Sequence, residues 1–199
     1  MADDRRGREQ QADDADRRQR ERDIRTELER GDEPEPPVDP SELATVELAL
    51  EAVEFPATGA DVVAAVGDHE LTARERTYTV EELVPAVSVE TFDSPTAVRM
   101  RVQRPTVASA MKRVVEASAT LADPEFPSSQ RDGYEQTFRA LEAVDADDED
   151  EGIAYVRDWI VDRIEEKGKL PSSRDVRREA ATFCRRNDYP VRNDEWLGI

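Results

Sequence analysis

GIAYVRDWIVDRIEEKGKLPSSRDVRREAATFCRRNDYPVRNDEWLGI, residues 152–199, is the stretch from which the fold is most readily read. Ile153, Val156, Ile160 and Ile164, joined by Trp159, recur at helical spacing and predict an amphipathic helix that Gly168 stops. Leu170-Pro171-Ser172-Ser173 reads as a tight turn, with Ser172 and Asp175 spaced as a capping pair. Val176, Ala180, Phe183 and Cys184 then form the apolar stripe of a second helix. Two helices about a short turn, the second basic near its start, have the outline of a helix-turn-helix.

The same stretch carries the chain's densest positive charge. From Lys167 to Arg192 there are eight Lys/Arg against three acids, a balance of +5 in a chain of net charge −19. Arg174, Arg177, Arg178, Arg185 and Arg186 are the candidate binding residues, facing either nucleic-acid phosphates or a protein partner. Packing within the fold explains the apolar stripe on its own, and the basic helix could equally neutralise the acidic run Asp145–Glu151, DADDEDE. That run reads as a solvated loop and lacks the glycine turn and ligand alternation of an EF-hand. LPSSRDV, residues 170–176, is similar to the start of the recognition unit in some winged-helix regulators.

Outward from this stretch, composition narrows the class. The chain has 47 acids, 25 arginines and three lysines in 199 residues. Acids spread through every segment with almost no lysine suit a cytoplasm of multimolar salt, where repulsion is screened within a few ångström. The expected source is a salt-loving archaeon. No apolar run approaches a membrane span, and MADDRRGREQQ has no apolar signal core, so the expected location is cytoplasmic, away from the membrane. One cysteine makes neither an intramolecular disulfide nor a Cys-based zinc site.

Residues 1–38 read as a charged disordered arm, or a frayed helix, ending in a proline linker at Pro34–Pro37. Residues 39–104 read as a small α+β domain. Asp39-Pro40-Ser41-Glu42 starts a helix with a capping box, and Leu43, Val46, Leu48, Leu50 and Val53 are expected to bury it. Thr58 caps a second helix stopped by Gly67. Around Leu71 and Tyr78 lie two short strands of a hairpin, and Thr79 with Glu82 makes another capping box. Ser94-Pro95 opens a helix with Val98 and Val102. Residues 105–199 read as a helical C-terminal domain, with Val107, Met111, Val114 and Val115 on one helix and Tyr134, Phe138 and Leu141 on the next. The tail residues Trp196, Leu197 and Ile199 are expected to dock on this domain. The fold class expected is mainly α with a small β-hairpin.

Phe55-Pro56-Ala57-Thr58 and Thr91-Phe92-Asp93-Ser94-Pro95 carry a resemblance. Across roughly residues 43–102 the chain resembles a family of small haloarchaeal domains of unknown function, in which these two steps bracket a compact unit. The resemblance implies a fold and no activity.

Catalytic patterns are missing from the sequence. His69 is the one histidine, and no phosphate-binding glycine loop or Ser–His pairing is recognisable. The expectation is a non-catalytic cytoplasmic binding or adaptor protein that needs no cofactor, with no small-molecule substrate evident. The alternative is a DNA- or RNA-binding regulator using the five arginines.

Overall fold

The computed structural model describes residues 37–74, 76–144 and 150–189. The expectations for residues 1–36, for most of the acidic loop (145–149) and for the tail from 190 onward lie outside these residues. The described residues belong to one compact unit, and it is the α+β, mainly helical fold that the sequence suggests.

Helix α1 (Pro40–Ala49) is opened by Asp39, whose carboxylate accepts from Ser41 N–H at 2.7 Å. Glu42 does not complete the expected capping box. Its carboxylate accepts the N–H of Thr72 at 2.5 Å, thirty residues away, and so joins the helix to the hairpin. Leu43, Val46 and Leu50 are buried, whereas Leu48 is 65% exposed, contrary to the expected burial. Leu48 lies five residues after Leu43, more than a full turn, which brings it to the side away from the core.

A 3-10 turn (Leu50–Ala52) and a cis Phe55–Pro56 peptide lead to β1 (Ala57–Thr58). Thr58 and Asp61 form a reciprocal capping box at the start of α2 (Gly59–Val66). Gly59 is required there, because an added Cβ would collide with the Pro85 carbonyl. The hairpin β2 (Glu70–Ala73) and β3 (Arg76–Thr79) pairs Leu71 with Tyr78, and α3 (Val80–Leu83) follows with its Thr79–Glu82 box. Strand β4 (Thr91–Phe92) pairs antiparallel with β1, Ala57 opposite Phe92. The FPAT and TFDSP steps therefore meet in space. Helix α4 (Pro95–Val102), capped by Ser94, completes this half.

Four helices follow: α5 (Pro105–Ser118), α6 (Ser128–Val144), α7 (Glu151–Lys167) and α8 (Ser173–Arg186). Met111, Val114, Tyr134, Phe138, Ile153, Ile160, Val176 and Phe183 share their core. A second core gathers Leu43, Val62, Leu71, Leu83, Phe92 and Val98. Helix α5 serves both, giving Ala108 to the second core and Val107, Met111 and Val115 to the first.

Charge joins the two cores at their seam. Glu90, 2% exposed, meets Arg101 at 2.6 Å and Arg131 at 3.6 Å. Arg101 also reaches Glu135 at 3.6 Å, and Glu135 holds Arg139 at 2.7 Å. One helix face of α6 thus supplies charged partners for residues of the first half.

Candidate functional site

The end of α7 and the start of α8 are held by local chemistry and by α6. Gly168, at φ 62°, ends α7 in the left-handed conformation that glycine adopts without cost. Ser172 caps α8 through the Asp175 N–H, and its own hydroxyl donates to the Asp175 carboxylate at 2.7 Å. Those bonds hold the Asp175 carboxyl below its ordinary value. The turn between the helices is clamped from α6. Tyr134 and Gln130 both donate to the Pro171 carbonyl, at 2.5 and 2.6 Å. Burial pushes the Tyr134 phenol well above its ordinary value, so it remains a donor. Gly133 lets the helices approach, since a Cβ there would lie 2.8 Å from the Ser173 hydroxyl.

Along its length α8 is pinned to α7. Tyr155 donates to Glu179 at 2.6 Å, which raises the phenol's pKa. The Phe183 ring lies against Tyr155 at 5.2 Å and Tyr189 at 6.0 Å. Val176, Ala180, Phe183 and Cys184 are buried as their spacing predicts, with Ala181 beside them.

This packing sorts the five arginines. At about 100° per residue, Arg174, Arg178 and Arg185 fall within an arc of about 40° on α8, and all three are exposed. Arg186 is also exposed but turns toward Tyr155, and Arg177 is half-buried on the opposite flank. Among the described residues, no carboxylate lies within 4.0 Å of Arg174, Arg178 or Arg185. Arg185 spends one N–H on the Ala181 carbonyl at 3.2 Å. The contrast is with Arg101, Arg104, Arg131 and Arg139, each ion-paired to a glutamate. Arg192 falls outside the described residues.

Residues 40–114 match a family of unknown function (DUF5789). The match runs from the start of α1 to Val114 within α5, so it takes in both the FPAT and TFDSP steps and leaves α6, α7 and α8 outside. No curated protein and no solved structure matches the chain.

Sequence reasoning found the arginines but missed what positions them, namely Gln130, Gly133 and Tyr134. The visible signal was Gly133, a lone glycine within a helical pattern, which such positions usually reserve for close packing. Among the described residues no group of three or more His, Cys, Asp or Glu is placed to hold a metal ion. No helix among them is long and apolar enough to cross a membrane.

Proposed function

We propose that the chain is a non-catalytic cytoplasmic binding protein of a halophilic archaeon, and that it engages nucleic acid through the α8 face. The observation that carries this reading is the trio Arg174, Arg178 and Arg185, exposed together with no carboxylate of the described residues within 4.0 Å, on the second helix of a helix-turn-helix-like pair. In a chain of net charge −19 with 47 acids, three exposed arginines within one arc of about 40° concentrate positive charge on that face. Arg174 and Arg185 are eleven residues apart, about 16 Å along the helix. That span exceeds the roughly 12 Å width of a major groove, so the end arginines can reach phosphates on its two sides. The five-residue turn from Gly168 to Ser172 is slightly longer than the usual three or four. The acidic composition and scarcity of lysine support the halophilic origin.

The test is binding to mixed DNA and RNA across a KCl titration, comparing wild type with Arg174→Ala/Arg178→Ala/Arg185→Ala. Three phosphate contacts on duplex DNA give a log–log salt slope of about −2.7, and the triple variant should lose affinity and most of that slope. Equal affinity and slope in both proteins rejects the α8 face. Absence of binding in wild type at every salt concentration rejects nucleic acid and transfers the face to an acidic protein partner.

A further inference from the structure

A second feature lies away from α8, where the turn of the β2–β3 hairpin faces the ends of α5, α6 and α7. It is a cleft of about 200 Å³ whose polar lining comes from Arg74, Arg76, Tyr78, Thr106, Glu142 and Asp150. Cations stand on the hairpin side and carboxylates on the bundle side. Among the described residues, no carboxylate lies within 4.0 Å of Arg74 or Arg76. Arg76 is held over the Tyr78 ring, 4.5 Å from its centroid. Across the cleft Glu142 is largely buried and pairs with Arg104 at 3.4 Å. Burial raises the Glu142 carboxyl above its ordinary value and the charge of Asp150 beside it adds to the rise, while Arg104 and, from across the cleft, Arg74 favour its charged form. Thr106 is the second residue of α5, a helix that starts at Pro105 without a side-chain cap. Its first turn therefore places backbone N–H groups and the positive end of a helix dipole in the lining on the bundle side, beside the two carboxylates.

We infer that this cleft binds a small zwitterion of the α-amino-acid class, its carboxylate toward Arg74 and Arg76 and its ammonium group toward Glu142 and Asp150. Size and charge choose the class together. The volume is below the roughly 300–1,000 Å³ of sites for drug-sized ligands. A simple anion placed there meets two carboxylates, and a simple cation meets two guanidinium groups. A ligand with both charges a few bonds apart satisfies both walls, and guanidinium–carboxylate pairing is the stronger of its contacts. This inference does not depend on the nucleic-acid reading of α8.

Calorimetric titration of the full chain in KCl tests it, using glycine, alanine and serine, with acetate and methylammonium as half-charged controls. At least one amino acid is expected to bind, with both controls at least about tenfold weaker, a difference of about 1.4 kcal/mol. Arg74→Gln and Asp150→Asn should each weaken amino-acid binding by about tenfold. Both positions have positive φ, 56° and 57°. Glutamine keeps an unbranched side chain at the first, and asparagine tolerates that conformation at the second, while unchanged melting curves confirm that the variants fold. Acetate binding as tightly as the amino acids makes this a plain anion site and overturns the inference. So does the absence of binding by all three amino acids, or undiminished affinity in both folded variants.

Discussion

Replacing Glu90 by glutamine should be among the most damaging single changes in the molecule. The side chain is 2% exposed and its carboxylate holds Arg101 at 2.6 Å and Arg131 at 3.6 Å. Glutamine has nearly the same shape but no charge, so the substitution leaves buried guanidinium groups facing a neutral amide. Breaking a buried ion pair from one side costs about 3–5 kcal/mol. Arg101 retains Glu135 at 3.6 Å, and Arg131 is 15% exposed, so the lower end applies, about 3 kcal/mol. For a chain of this length that is a fall in Tm of about 6–12 °C. The control is Glu47→Gln, which loses an ion pair with Arg99 at 3.7 Å between side chains 32% and 38% exposed. Its cost should be under about 1 kcal/mol. The assay is calorimetric melting of wild type and both variants in dilute and in multimolar KCl. Salt should shrink the Glu47 effect and spare the Glu90 effect, because buried pairs are screened much less. In the double variant Glu90→Gln/Arg101→Met, removing the stranded charge should recover part of the loss. A Glu90→Gln loss no larger than that of Glu47→Gln would refute the view that the seam is held by buried charge.

Gly133→Ala places a methyl group 2.8 Å from the Ser173 hydroxyl, so α8 must shift or Ser173 must turn away. The expected cost is about 1–3 kcal/mol, read as a lower urea midpoint, despite alanine's better helix propensity. An unchanged or higher midpoint would mean that α6 does not position α8 in this way. Acid should act on stability in two opposed stages. Asp39, Asp61 and Asp175 have carboxyls held below the ordinary aspartate value of 3.8, chiefly by hydrogen bonds from Ser41, Thr58 and Ser172. Their contribution is present above the unfolded value and is lost as pH falls through the lower folded one. Burial raises Glu142 and Asp132, so theirs is fully present below the unfolded values and is lost as pH rises through the folded ones. Tm should therefore rise as pH is lowered from neutral toward the ordinary carboxyl range and fall below it. The Glu142→Gln variant should show a weaker rise, and a rise identical to that of wild type would count against the Glu142 assignment.

What could be read locally from the chain was the punctuation. Asp39, Thr58, Thr79, Ser94 and Ser172 stand at helix starts, and Gly168 ends α7. Such caps join groups two to four residues apart, so the residues that make them appear together in the sequence. The stripe Ile153, Val156, Ile160 and Ile164 was legible for the same reason, as helical spacing converts directly into a buried face. The candidate arginines could be named, but not sorted. Separating Arg174, Arg178 and Arg185 from the half-buried Arg177 required knowing which sides of α8 face α6 and α7.

The remaining choices belong to contacts between distant residues. Glu42 looks like a capping residue, yet it turns to Thr72, because the hairpin places an N–H nearby. Ala57–Thr58 and Thr91–Phe92 are too short to announce themselves as strands and become so only by pairing. Leu48 has the composition of a core residue and sits on the open side of its helix. Glu90 is one acid among 47, and only burial beside Arg101 and Arg131 sets it apart. The sequence by itself determined the helices, their ends and the excess of acid, since these depend on neighbours along the chain. Tertiary structure alone decided which charges are buried, which are paired and which remain free, since those outcomes depend on what packing brings alongside.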